Sequence, residues 1–210
     1  MLDREHHSGV VNDKRVAAVA LLIQPHHSHA LTEMKTFLRI VRAGDLRGLA
    51  AGMNDSPDAQ FLFSIDGMQL AAGYWRDATS TTIGQVEASL LFDVSVQDFA
   101  HLERGPVTGA VIRMLPGRQR QLVHWSNELN KRSQEAQESI RREGVEFESW
   151  FSFELNQNLY LFALMADYKE HAVSTDHDDL DVDRIHRDFK KNWDRSARYI
   201  CTRIDSSDQA

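Results

Sequence analysis

The stretch Val145-Glu146-Phe147-Glu148-Ser149-Trp150-Phe151-Ser152-Phe153-Glu154 alternates in character. Val145, Phe147, Phe151 and Phe153 fall on one face; Glu146, Glu148, Trp150, Ser152 and Glu154 fall on the other. A period of two is that of a β-strand, here with one apolar and one mixed face. A polar turn, Asn156-Gln157-Asn158, leads into Leu159–Tyr168, which is apolar on both faces as far as Ala166. A strand of that kind is covered from both sides. The hairpin therefore predicts a sheet with a layer on each face.

Upstream of the hairpin, Arg118–Glu143 has helical composition, with Leu122, Trp125, Leu129, Ala136 and Ile140 marking one buried stripe. As one helix it would run about 39 Å at 1.5 Å per residue, so a break near Asn130–Ser133 is expected. Gly144 stands where a helix end favours positive φ. Before it, Thr108–Leu115 reads as a strand ending at Pro116-Gly117. After the hairpin, Asp181-Val182 opens an amphipathic helix over Arg184–Arg198, and Tyr199–Ile204 is a closing strand.

The first half rhymes with this order. Val16–Ile23 is an apolar strand, Ser28 to Met53 has helical composition, and Gln60–Ile65 and Met68–Trp75 flank Asp66-Gly67. Asp-Gly between two apolar runs is a strong hairpin cue. Asp93-Val94 then leads to a helix over Gln97–Glu103. The order β-α-β-β-α thus recurs at a near-constant offset, which is the split βαβ, or ferredoxin-like, plan. The expected fold is α+β: two tandem ferredoxin-like (βαββα) halves, 16–106 and 107–205, between a mobile tail at 1–15 and a short tail at 206–210. A ferredoxin-like sheet carries helices on one face only. Two such sheets facing each other would close an intramolecular α+β barrel around a cavity lined by the mixed face.

Composition narrows the function classes. The 210 residues are 42% hydrophobic and 26% charged, enough apolar material for a core. A net charge of -7 argues against nucleic acid and against an anionic membrane. The longest apolar run, Val16–Ile23, falls short of the roughly 20 residues of a spanning helix. Lys14 and Arg15 imitate a signal peptide, but Asp3, Glu5 and Asp13 oppose it, so a cytoplasmic location is expected. Cys201 is the single cysteine, which excludes internal disulfides and multi-cysteine metal sites.

His124-Trp125 with Asn127, the run Val145–Phe151, Leu159-Tyr160-Leu161-Phe162 and Val182-Asp183-Arg184-Ile185-His186 form an ordered set. With them, Ala110 to Arg198 resembles a family of small uncharacterised bacterial domains in the dimeric α+β barrel (ferredoxin-like) group. The resemblance implies a ferredoxin-like fold; related barrels include cofactor-free monooxygenases, haem enzymes, isomerases and members with no known chemistry. Fold of this kind does not settle function. The first half departs from the pattern, with Gln60 and Ser64 where the second offers Glu146 and Glu148, and Gln97-Asp98 near the place of His186. It would then serve as a structural lid.

Asp183 and His186 are three apart and share a helix face. With Glu148 across a cavity they could form a carboxylate–imidazole set that moves a proton near neutral pH. The structural alternative makes Asp183 a helix N-terminal residue and His186 a buried tie between helix and sheet. Glu146, Glu148 and Glu154, if turned inward together, demand a raised pKa or a cationic ligand. Trp125, Trp150, Tyr160 and Trp75 are pocket walls or plain core.

Metal readings rest on His26-His27-Ser28-His29 and on the acidic run Asp176–Asp183. As a calcium loop the latter fails, since Arg184 replaces the required Gly and Lys190 the bidentate Glu. A looser site of His177, His186 and a carboxylate stays open. Signatures for nucleophilic serine, phosphate loops, dinucleotides and zinc proteases are missing from the sequence.

The leading expectation is a protein that binds a small organic molecule in the inter-sheet cavity, with no cofactor, and performs proton transfer if it is an enzyme. His186 would be the acid/base, Asp183 or Glu148 its orienter, Trp125, Trp150 and Tyr160 the walls, and Glu146 a further ligand contact. A non-catalytic ligand-sensing or interaction scaffold is the alternative, and a metal or haem protein the third. Homodimerisation stays open, because two halves in one chain already satisfy the barrel.

Overall fold

The Asp66-Gly67 turn has φ values of 49° and 78°, the left-handed pair of a tight hairpin in which glycine costs least. It joins β2 (Ala59–Ile65) to β3 (Met68–Ala78) in the computed structural model, which describes residues 35–43, 57–78, 86–96, 104–168 and 180–204. With β1 (Lys35–Arg42), β4 (Val86–Glu87) and β10 (Thr202–Ile204), they form an antiparallel sheet of order β10-β2-β3-β1-β4. A second antiparallel sheet has the order β5-β7-β8-β6-β9. Its members are β5 (Ser89–Ser95), β6 (Arg104–Met114), β7 (Val145–Leu155), β8 (Asn158–Tyr168) and β9 (Trp193–Ile200).

Among the described residues three α-helices accompany the second sheet: α1 (Gln119–Lys131), α2 (Ser133–Arg142) and α3 (Asp181–Phe189). The run from β6 to β9 is therefore β-α-α-β-β-α-β, and its strand order β9-β6-β8-β7 is the split βαβ arrangement. The first sheet has the same sequence of positions, β4-β1-β3-β2. Each sheet also takes one edge strand from elsewhere. β5 follows β4 after Ala88 and joins the second sheet beside β7; β10 follows β9 after Cys201 and joins the first beside β2.

The two sheets pack face to face. Phe61, Phe63, Leu70 and Tyr74 from the first meet Phe147, Phe151, Tyr160 and Phe162 from the second in one buried cluster. Phe162 touches Phe61 and Phe63 at centroid distances of 5.9 and 5.6 Å, and Tyr74 stacks on Phe147 at 5.8 Å. Each fully buried ring contributes roughly 1.5–3 kcal/mol. Ser149 accompanies them, its Oγ donating to Asp93 Oδ1 at 2.6 Å and lying 3.2 Å from the Tyr74 hydroxyl. The opposite face of the second sheet, with Ile112, Trp150, Leu161 and Ala163, is covered by Leu122, Trp125, Leu129, Ala136 and Ile140 of α1 and α2 and by Val182 and Phe189 of α3. β8 is thus buried on both faces, as its composition predicts.

The helical stretch does break. α1 ends at Arg132, whose N–H donates to Leu129 O at 3.0 Å, and Gly144 takes φ 72° after α2. Elsewhere the sequence misled. Helical composition from Ser28 to Met53 includes β1, where buried Thr36, Leu38 and Ile40 recur with period two between β3 and β4. Pairing with two neighbours overrides propensity. Asp93-Val94 lies within β5. The last helix is not Arg184–Arg198 but ends at Phe189, where Asn192 Nδ2 donates to Phe189 O at 2.9 Å; Trp193 then pairs with Met114 of β6. Val16–Ile23, Gln97–Glu103 and the tails expected at 1–15 and 206–210 lie outside the described residues.

Candidate functional site

Val182, Ile185, His186 and Phe189 recur at helical spacing, so one face of α3 lies on the mixed face of the second sheet. His186 meets three indoles there: Trp150 at 5.3 Å, Trp125 at 5.7 Å and Trp193 at 6.1 Å between ring centroids. Trp125 is itself stacked on Phe189 at 4.4 Å and edge-on to Trp150 at 5.4 Å. Burial among these rings, aided by the nearby Lys190 ammonium, pushes the His186 pKa down to about 3. The imidazole is neutral at physiological pH, with one nitrogen able to donate and the other able to accept.

Glu148 stands on the same face, in register between Val94 of β5 and Met165 of β8. Although partly open to solvent, its carboxyl is pushed up to about 7. Burial is the main cause and Glu143 adds to it, while the Trp150 indole and Lys190 pull the other way. The Trp150 indole leans toward this carboxyl without reaching hydrogen-bond geometry. Near pH 7 the group is divided between acid and base, the condition in which a carboxyl can both give and take a proton.

Three indole N–H groups in this cluster, on Trp125, Trp150 and Trp193, are buried without a hydrogen-bond partner among the described residues. A buried unpaired donor costs roughly 1–3 kcal/mol, so three together call for an explanation. Lys190 completes the set, its Nζ 5.7 Å from the centre of the Trp193 ring.

The structure brings together His186, Glu148, Trp125 and Trp150, and separates the other sequence candidates from them. Asp183 does not orient His186: its Oδ1 accepts from Ser139 Oγ at 2.5 Å and its Oδ2 from the Leu180 N–H at 3.2 Å. It ties α3 to α2 and caps a helix start. Tyr160 is on the opposite face of β8, packed between the sheets, with its hydroxyl donating to Asp66 Oδ2 at 3.3 Å. Glu146 is buried at a bulge, where β7 advances two residues against one of β8, so the simple alternation with Glu148 fails there. Glu154 is exposed.

The larger correction concerns which layer holds the mixed face. It does not line a cavity between the sheets. Phe147, Phe151 and Phe153 occupy that side, while Glu148 and Trp150 turn toward the helices. Aromatic rings bury more apolar surface in the sheet–sheet layer, which leaves the polar alternates to the helix layer. Sequence reasoning missed Trp193 and Lys190, because both fell inside the overlong last helix. The signal was the Lys190-Lys191-Asn192 run, a polar stop between two aromatics. His26, His27, His29 and His177 lie outside the described residues, among which no three His, Cys, Asp or Glu side chains gather as metal ligands. No helix among the described residues is long and apolar enough to cross a membrane.

No curated protein sequence matches the chain. A heme-degrading enzyme from Listeria monocytogenes is 11% identical with a TM-score of 0.38, over 79% of this chain and 97% of that one. An uncharacterized ferredoxin fold protein related to antibiotic biosynthesis monooxygenases, also from Listeria monocytogenes, is 13% identical with a TM-score of 0.32, over 74% and 76%. Residues 107–201 match a family of unknown function (DUF6176), a span that contains Trp125, Glu148, Trp150, His186, Lys190 and Trp193.

Proposed function

We propose that the chain binds a small planar, carbonyl-bearing organic molecule between the helix layer and the second sheet, and that Glu148 exchanges a proton with it. The carrying observation is that Trp150 lies against both a neutral histidine and a carboxyl with a pKa about 7. In this reading the acid/base is Glu148. His186, with its pKa near 3, is too weak a base for neutral pH and instead holds an oxygen of the ligand by hydrogen bonding. Trp125, Trp150 and Trp193 supply flat apolar walls. The step is redox-neutral: a C–H bond breaks as its electron pair forms the C=C bond, the C=O π pair passes to oxygen, and an O–H bond forms, with the proton carried through the Glu148 carboxyl.

The test is the keto–enol tautomerisation of phenylpyruvate, followed by ultraviolet absorption. Wild-type protein should accelerate it, E148Q should abolish the acceleration, and H186Q should reduce it. An E148Q variant as active as wild type would sink the reading.

The two halves are further proposed to be tandem ferredoxin-like units closing one α+β barrel, with the first as lid. The matched strand orders and reciprocal edge strands support this. Aromatic filling between the sheets favours a second reading, a non-catalytic scaffold. Absence of any tautomerase activity and of any bound molecule in native mass spectrometry would select it.

A further inference from the structure

The helix–sheet cluster contains an unusual excess of donors. Trp125, Trp150 and Trp193 are at least half-enclosed indoles, and Trp125 and Trp150 are 1% and 3% exposed; the N–H groups of Trp125 and Trp193 meet no acceptor among the described residues, and that of Trp150 faces the Glu148 carboxyl short of hydrogen-bond geometry. An indole N–H can only donate. A cation would face the rings but leave all three donors unmet, and Lys190 already holds positive charge over Trp193. An anionic oxygen would satisfy them.

A ligand carboxylate entering here meets a difficulty. Glu148 is a second carboxyl in the same apolar surroundings, flanked by Val94 and Met165, and Glu143 adds a third acid nearby. The groups bearing on Glu148 are Glu143 after α2, Lys190 after α3 and the Trp150 indole beside it on β7, while His186 of α3 shares Trp150 with it. One ammonium cannot balance two desolvated carboxylates side by side, so one must be protonated. An ordinary aromatic acid is the stronger acid of the two, and it keeps its charge.

We infer that the site takes an aromatic carboxylate together with one proton, which Glu148 accepts from solvent, while Lys190 and the indole donors face the ligand anion. No bond of the ligand breaks in this step. The inference rests on the proposed pocket and adds its ligand class and its pH response.

Three probes with one ring separate the outcomes: benzoate, benzamide and benzyltrimethylammonium, titrated into wild-type protein with tryptophan fluorescence and calorimetry on both sides of neutrality. Three of the four tryptophans lie at the site, so occupancy should be visible. Above neutrality benzoate should bind with uptake of one proton, read from buffers of different ionisation heat, and should weaken by about tenfold per pH unit; below neutrality, where Glu148 already holds the proton, the uptake should fade. E148Q should bind benzoate with an affinity that no longer depends on pH. Benzoate binding above neutrality without proton uptake overturns the inference, as does tighter binding of benzyltrimethylammonium at rising pH. A response to benzamide alone leaves the pocket standing and refutes its anion selectivity. No response to any of the three removes both the pocket and this inference.

Discussion

The two hairpins, β2–β3 and β7–β8, are matched in register yet differ in what they carry. Counted from their turns, Gln60 opposite Gly73 corresponds to Trp150 opposite Ala163, and Asp58 corresponds to Glu148. In the first hairpin Asp58 Oδ2 accepts from the Arg76 N–H at 2.6 Å and remains exposed. In the second, the equivalent acid is half-buried and its pKa rises to about 7. Trp75 of the first lies across Gly73, so close that a Cβ there would meet its ring at 2.5 Å. The glycine and the tryptophan form one fitted unit. The lesson is that equal backbone positions acquire different chemistry through their covering: Asp58 is exposed, whereas Glu148 is half-buried, with Glu143 after α2 and Lys190 after α3 bearing on it.

The inner faces are where the hairpins are alike, and disrupting them should have the largest effect. Phe162→Ala removes a ring in contact with both Phe61 and Phe63, and should cost about 3–5 kcal/mol in denaturant unfolding. Because that core belongs to both sheets, loss should appear as one transition at lower denaturant. Two separate transitions would show that the sheets fold independently and break the comparison.

The next effect tests the difference in covering. Glu148 has a folded pKa above its unfolded value, so its folded form binds the extra proton between about pH 4.5 and 7, and stability falls as pH rises through that window. E148Q should therefore be the more stable protein at alkaline pH, by about 3 kcal/mol, and should approach wild type in acid. His186 has the opposite sign. Its folded pKa lies below its unfolded value, so the stability it allows is complete above about 6.5 and is lost as pH falls toward 3. H186Q should flatten the acid limb of the stability profile while leaving the alkaline limb in place.

Asp183→Ala should cost about 1 kcal/mol, through the lost bonds to Ser139 and to the Leu180 N–H, without altering benzoate affinity. Altered affinity would return Asp183 to the site. The smallest effect expected is that of Tyr160→Phe, about 0.5 kcal/mol, since its hydroxyl meets exposed Asp66 at 3.3 Å while the ring stays stacked on Phe153.

Both hairpins, the broken helix and the twice-covered strand were legible because they depend on local period and turn chemistry. Val145–Glu154 announces its two faces, and Asp66-Gly67 its turn. What was hidden depends on which layer each face meets. Alternation told Phe151 from Trp150 but not that the phenylalanine side would go to the partner sheet and the tryptophan side to helices. β1 was hidden because Lys35–Arg42 is a strand by virtue of neighbours far away in sequence. At the candidate site, Trp125, Trp150 and His186 were singled out from their residue types and spacing, and the structure gathers them in one buried cluster. Trp193 was lost with the misplaced helix end, and Asp183 was left between two roles because a cap and an orienter look alike in sequence.

The exchange of edge strands has a mechanical meaning. β4 passes into β5 and β10 follows β9, so each sheet is fastened to the other by main chain and by ladder hydrogen bonds. A cut between β5 and β6 would leave two fragments, each holding a ribbon that belongs to the other's sheet. Such fragments should be soluble only when co-produced, and should reassemble like two hands with fingers crossed. Pulled from its C-terminus, the chain would release the three-residue β10 first, and the larger sheets would begin to yield only afterwards.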